Sequence, residues 1–421
     1  MSLPAVSQAA NRDAIRTLGP ANTVVPIFEQ LLDSRSVFLT ANDNTVYSWT
    51  WLDLSQGPLV LEVPPKVLGA INDIWFRWVV DVGITGPDKG EGGKYLLLPP
   101  GYQGEVPAGY EVVKSPTFNL WAPWRSFLVK GDPKPGVDLV KQHTRIYPLA
   151  AANGPTPDLT FLDMSEQPFN TVAPADYRFW ELLNEVVQQE PSASLDQIRL
   201  GYFAAIGIQK GKPFAPDERM KKILTEAARV GDATARAIMY RWRNPNGYWY
   251  PNSAWRLGFI GGYKFEENGA RILDAYSAFF FYATGVTPAM DSKSVGEGSQ
   301  YMAAFVDSQN KPLDGGKSYK LHLPPNIPVK QFWSVILYDN QTRSMLQTDQ
   351  RWPAATSQNP KLLANADGSV DVYFGPKAPA GKENNWVQTI PGKGWNTLLR
   401  LYGPLQPWFD KTWRPGEIEP L

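Results

Sequence analysis

The sequence predicts a mainly β protein with a helical insert: two jelly-roll- or β-sandwich-like domains joined by an α-helical segment. Three observations carry this. Short apolar runs separated by turn residues fill the stretch from Val37 to about Tyr147; helical spacing takes over after the Pro-rich stretch Pro148 to Pro157; and strand-like runs return from Tyr301. The chain accordingly divides into a lead-in segment over residues 1–36, an N-terminal β domain over 37–150, a helical connecting segment over 151–299 and a C-terminal β domain over 300–421. With 421 residues, the chain exceeds one typical hydrophobic core, so more than one domain is expected.

The first strand signal is Asn42-Asp43-Asn44-Thr45-Val46-Tyr47-Ser48-Trp49-Thr50-Trp51-Leu52-Asp53. Asn and Asp bond to their own backbone in turns, and the alternation that follows puts Asp43, Thr45, Tyr47, Trp49, Trp51 and Asp53 on one face. Further runs are Pro58 to Pro64, Asp73 to Asp81 and Gly93 to Pro99. Four helices are expected: around Phe179, Leu182, Leu183, Val186 and Val187; over Leu195 to Ile206; over Asp217 to about Arg243; and over Gly269 to Tyr282. The later strands are Tyr301 to Phe305, Ser318 to Leu323, Gln331 to Tyr338, Ser369 to Phe374 and Trp395 to Tyr402, with turns at Asp314-Gly315-Gly316 and Asp367-Gly368.

Composition excludes several functions. The 41 basic and 41 acidic residues cancel, and no dense basic run supplies a local field, so nucleic acid and anionic membrane surfaces are not expected partners. No run has the length and apolarity of a membrane span or a signal peptide, which leaves the compartment open between cytoplasm and periplasm. Cysteine is absent, and with it disulfides, thiolate nucleophiles and sulfur ligands. There is no Gly-x-Ser-x-Gly elbow, no His-Glu-x-x-His, no phosphate loop and no dinucleotide fingerprint, so no cofactor is expected. Asn42, Asp43, Asn44 and Asp53 are oxygen ligands, but their spacing fits no calcium loop and no metal is expected.

Several motifs in order resemble one family. In the C-terminal third they are Phe332-Trp333-Ser334-Val335-Ile336-Leu337-Tyr338-Asp339, Thr342-Arg343-Ser344-Met345, Asp367-Gly368-Ser369-Val370, Asn384-Asn385-Trp386-Val387 and Leu399-Arg400-Leu401-Tyr402-Gly403-Pro404 with Phe409-Asp410. In the N-terminal part they are Asn42 to Ser48, Trp51-Leu52-Asp53-Leu54, and Ser115-Pro116-Thr117 with Arg125. This text is similar to the bacterial group that pairs the domain of unknown function DUF1254 with DUF1214. The resemblance spans residues 37–130 and 300–415. It implies two β domains, a helical connection, a homo-oligomer and, for some members, hydrolase activity without an agreed catalytic set.

Two functional readings follow, and isomerase or lyase chemistry on the same acid and tyrosine is a third that differs from the first only in substrate. In the first, the protein is a hydrolase of a small ester, amide or lipid-like substrate, working in an aromatic-lined cleft between the β domains. Asp43 or Asp53 is the general base, Tyr47 relays a proton, Arg77 or Arg343 holds the oxyanion, and Trp49, Arg125 and Arg343 contact substrate. In the second it binds a small ligand or builds an oligomer without breaking a bond. Arg77 and Asp81 fall on one face of a Trp75 to Asp81 strand but about 13 Å apart. Each therefore needs another partner, Asp43 or Asp53 for Arg77 and Arg125 for Asp81. His322 reads as a hydrogen-bonded structural histidine, and so does His143, in a loop-like region near Arg145. Ser308-Gln309-Asn310-Lys311 matches Ser-x-x-Lys inside a turn rather than at a helix start. The aromatic cluster Trp242, Tyr248, Trp249, Tyr250 and Trp255 is suited to stacking a ligand and equally to burial.

Overall fold

The computed structural model describes residues 2–421, and they form two compact units. One holds the chain up to Leu32, Asp43–Arg236 and Gly285–Thr287; the other holds Asp33–Asn42, Ala237–Thr284 and Pro288–Leu421. Seven α-helices are present among the described residues: α1 (Leu3–Arg16), α2 (Lys134–His143), α3 (Arg178–Gln189), α4 (Gln197–Ala205), α5 (Glu218–Tyr240), α6 (Leu273–Tyr282) and α7 (Gln406–Phe409). The protein is mainly β with a helical segment between the two β-rich parts of the chain, as the sequence predicts. The expected connecting segment 151–299 is not a unit of its own, because α3 and α4 belong to the first unit and α6 to the second.

The first unit is a sandwich. Its six-stranded sheet runs in the order Thr160–Asp163, Val24–Ile27, Thr45–Asp53, Asn119–Phe127, Leu68–Asp73, Trp78–Gly83, and its four-stranded sheet in the order Arg145–Pro148, Leu59–Val63, Gly93–Leu98, Glu111–Lys114. Alternation sorts the two faces. Val46, Leu52, Leu120, Ala122 and Trp124 point into the core, where they meet Leu59, Leu61, Tyr95 and Leu97. Burying each large apolar side chain contributes about 1.5–3 kcal/mol. The odd-numbered residues of Thr45–Asp53 and Asn119–Phe127 lie on the other face, in register Tyr47 with Arg125 and Trp51 with Trp121.

Helix α1 packs on the Thr45–Asp53 strand and on α3. It lies inside the stretch expected to be a lead-in, as does the strand Val24–Ile27. The helix was illegible because its buried face mixes Ala5, Val6, Ala9 and Ile15 with Gln8, Asn11 and Arg12, which blunts the apolar period. Arg12 is fully buried and is held by Glu185 of α3 at 2.7 Å and by Asp13 at 2.8 Å. Helix α2 was also missed, since Pro and Gly sit at its start, and it carries His143 on an exposed turn of helix rather than in a loop.

The expected strand Trp75 to Asp81 is instead a hairpin. Its turn spans Asp73 to Arg77, with Phe76 in the left-handed region at φ 59°, and the strand begins at Trp78. At the far end of the same hairpin, Gly83 has φ +77°, and a Cβ there would lie 2.0 Å from the Val67 carbonyl oxygen. Gly83→Ala is therefore expected to destabilise the protein by about 2 kcal/mol or more, read as a lower thermal midpoint; an unchanged midpoint would contradict this packing.

The second unit is also a sandwich. A five-stranded sheet runs Arg256–Leu257, Ser299–Ala304, Trp395–Pro404, Val329–Asp339, Ala354–Thr356, and a four-stranded sheet runs Trp386–Gln388, Val370–Gly375, Tyr319–Leu323, Ile418–Pro420. Met302, Trp333, Val335, Leu337, Trp395, Leu399 and Leu401 of the first sheet face Tyr319, Leu321, Val372 and Phe374 of the second. The opposite face of the five-stranded sheet carries polar side chains, and helix α6 reaches it: the Tyr282 hydroxyl donates to Asn396 Oδ1 at 2.5 Å. His322 is hydrogen-bonded to Asp371 at 2.7 Å, the structural role expected of it.

Candidate functional site

In the first unit the expected face exists, and its aromatic members pack on one another. Trp49 is fully buried beside Phe28, Phe169 and Tyr47, with ring centroids at 5.1, 5.9 and 6.3 Å. The Arg125 guanidinium lies 5.8 Å from the centre of the Tyr47 ring, brought there by strand register. Asp43 is half-buried just ahead of the strand. Asp53 sits six residues beyond Tyr47, about 20 Å away at strand rise, and its carboxylate accepts from the Ser55 amide at 2.8 Å, the signature of a turn.

Arg77 pairs with neither Asp43 nor Asp53. It ion-pairs with Asp73 across the hairpin turn, with Nη2 at 2.6 Å and Nε at 2.7 Å from Oδ2. Asp81 is bonded not to Arg125 but to Trp78 Nε1 at 2.8 Å and to the Thr287 hydroxyl at 2.6 Å. Burial raises the pKa of Asp73, which is fully enclosed, while Arg77 opposes that shift. Burial likewise raises Glu190, whose carboxylate accepts from the Phe118 and Asn119 amides and from the Asn119 side chain. These acids hold loops and strand ends together. Arg343, in the second unit, donates from Nε to the Phe281 carbonyl at 3.1 Å and lies 4.2 Å from the centre of the Phe281 ring.

The side chain that sequence reasoning passed over is Arg256. Alternation through Trp255, Arg256 and Leu257 sends Trp255 into the core and Arg256 to the opposite face. Arg256 lies opposite Ala303 on one side and Tyr248 on the other, so Tyr248 shares its face. The residue is 5 % exposed. Its guanidinium carbon lies 4.2 Å from the centre of the Phe305 ring, a cation–π contact. Tyr240 and Tyr282 flank that ring at centroid distances of 5.1 and 5.3 Å.

Among the described residues no carboxylate pairs with Arg256, and its Nη2 has no hydrogen-bond acceptor. Burial pulls its guanidinium down to about 10, so the charge persists at neutral pH.

Arg256 forms part of the wall of a half-enclosed cavity of about 160 Å³, together with Tyr240, Trp242, Tyr248, Phe305 and Asn310. The phenols of Tyr240 and Tyr248 already donate, to the Asn340 carbonyl at 2.6 Å and to the Trp242 carbonyl at 3.0 Å. Trp242 Nε1 is a second buried N–H without an acceptor. The wall thus offers an unneutralised cation, a second donor and aromatic faces. The sequence held one clue: between Asp232 and Glu266 there is no acid, while Arg236, Arg241, Arg243, Arg256 and Lys264 all fall there.

Two sandwiches, one carrying a cationic aromatic cavity, define the class structurally. Family models place it more closely. Residues 22–148 match the protein of unknown function DUF1254 and residues 298–406 match the protein of unknown function DUF1214. The chain belongs to the family that pairs these two modules, as the sequence motifs implied. No curated protein matches the chain. Among solved structures it is similar to the VPA0106 protein from Vibrio parahaemolyticus, with 19 % identity and a TM-score of 0.58, covering 100 % of this chain and 97 % of that one. It also aligns with an uncharacterised protein from Burkholderia cenocepacia, with 13 % identity and a TM-score of 0.44, over 100 % and 87 % of the two chains. The first likeness is one of fold. No helix among the described residues is long and apolar enough to cross a membrane.

Proposed function

We propose that this protein binds a small organic anion in the Arg256 cavity. The supporting observation is a guanidinium that is 5 % exposed and has no carboxylate partner among the described residues, set in the wall of a cavity with room for a ligand. An unpaired buried charge is costly to keep, and a ligand anion would offset that cost with a charge-assisted hydrogen bond. Hydrolysis of a small ester or amide needs a base and an oxyanion donor at one carbonyl. Of the residues offered for it, Asp53 and Arg77 are engaged in turns, whereas holding an anion at Arg256 needs no such pair, so binding is the reading put forward.

Thermal shifts measured with acetate, benzoate, phosphate and sulfate at constant ionic strength test this. At least one anion is expected to stabilise the wild type and to leave Arg256→Met unmoved. Equal stabilisation of both proteins, or none of the wild type, would overturn the proposal. Gly247→Ala supplies a steric check. A Cβ at residue 247 would lie 2.2 Å from Trp242 Nε1, so the indole must shift, and ligand affinity is expected to fall by about tenfold; titration showing unchanged affinity would place the ligand elsewhere. The homo-oligomer implied by the family resemblance is proposed as a separate property, and the mass in solution decides it.

A further inference from the structure

We infer that the ligand of the Arg256 cavity is a monocarboxylate carried on a single aromatic ring, an inference that rests on the small-anion reading above. Three features select this class. The cavity measures about 160 Å³, and an apolar cavity of roughly 150 Å³ takes one benzene ring. A single ring therefore matches the enclosed part of this cavity, which is smaller than the clefts of about 300–1,000 Å³ that accept drug-sized ligands.

The wall supplies matching surfaces. Phe305, Tyr240, Tyr248 and Trp242 present aromatic side chains, and rings pack on rings in offset or edge-on geometry. The Phe305 ring also fixes the guanidinium, with the carbon 4.2 Å from its centre, so the donor is held in place before the ligand arrives.

Charge selects the head group. The cavity wall has one deeply buried cation, Arg256; its neighbour Arg241 is exposed. A carboxylate carries one negative charge and neutralises that buried cation, whereas the second charge of a phosphate or phosphonate dianion is met only by the solvent-exposed Arg241. A neutral amide of the same shape would bring an N–H toward a wall that already has donors to spare.

Isothermal titration with benzoate, acetate, benzamide and phenylphosphonate, on the wild type, Arg256→Met and Arg256→Lys, tests the class. Benzoate is expected to bind at least tenfold tighter than each of the other three, to lose at least 30-fold in Arg256→Met, and to lose about tenfold in Arg256→Lys, which keeps the charge but not the planar fork. Phenylphosphonate or acetate binding as tightly as benzoate, with dependence on Arg256 retained, overturns the aromatic monocarboxylate while leaving the anion site standing. Benzamide binding equally well in all three proteins, or no ligand binding at all, overturns the anion reading with it. If Arg256→Met does not fold, Arg256→Lys carries the test, and benzoate affinity unchanged in it counts against the assignment.

Discussion

Arg256→Met is expected to make the ligand-free protein more stable while abolishing its response to carboxylates. Removing a buried charge that has no counter-ion relieves a desolvation cost of several kcal/mol, and a methionine of similar reach keeps the contact with Phe305. The lost cation–π contact returns part of that, about 2 kcal/mol when desolvated. The net expectation is a gain of about 1–2 kcal/mol, a rise in Tm of about 3 °C. A residue kept for structure would behave oppositely, so a fall in Tm of similar size would mark Arg256 as a packing element. The pH dependence has a definite sign. Burial lowers the folded-state pKa to about 10, below its unfolded value, so the cost is fully present below pH 10 and fades above it. The stability difference between wild type and Arg256→Met should therefore narrow as the pH rises past about 10.

The second large effect is expected at Arg77, in the first unit. Arg77→Ala leaves the Asp73 carboxylate, whose side chain is wholly buried, without its ion pair. Breaking a buried pair from one side costs about 3–5 kcal/mol; the Arg77 side chain is 39 % exposed, so solvent screening reduces the expectation to about 2–3 kcal/mol. Burial already holds the Asp73 pKa above the usual carboxylate range, and removing Arg77 moves it further up. An acid whose folded pKa is raised is penalised when ionised. The loss in Arg77→Ala is thus greatest at neutral and alkaline pH and shrinks as the pH falls through the folded pKa of Asp73. Thermal midpoints of both proteins across pH 4 to 8 check this, and a pH-independent difference would contradict it. Loss of a catalytic function with stability intact would restore Arg77 to the oxyanion role expected from its sequence position.

The difference between these two arginines explains what could be read in advance. Helix α3 was legible because one face is buried and its period survives in the text, while Thr45–Asp53, Trp395–Pro404 and α6, buried on both faces, were legible from dense apolar and aromatic residues bounded by turn residues. The alternation of Tyr47, Trp49 and Trp51 was right, and register brought Arg125 to Tyr47. The turn at Asp73 to Arg77 was not legible, because Trp75 and Phe76 read as strand and nothing in composition announces an aromatic residue at positive φ. Arg77 therefore looked available when it is spoken for by a residue four places back. Arg256 presented the reverse case. Its importance lies in the absence of an ion-pair partner, and only the fold shows that no carboxylate among the described residues pairs with it, Glu417 and Asp307 being bonded to backbone amides nearby.

The most direct test of the Arg256 site is a crystal soaked with 4-bromobenzoate, the bromine located by its anomalous signal. The carboxylate is expected within charge-assisted hydrogen-bond distance of the Arg256 guanidinium, about 2.7–2.9 Å, with the brominated ring packed against Phe305. Bromine found at full occupancy elsewhere, with only water beside Arg256, would contradict the assignment of this cavity as the ligand site.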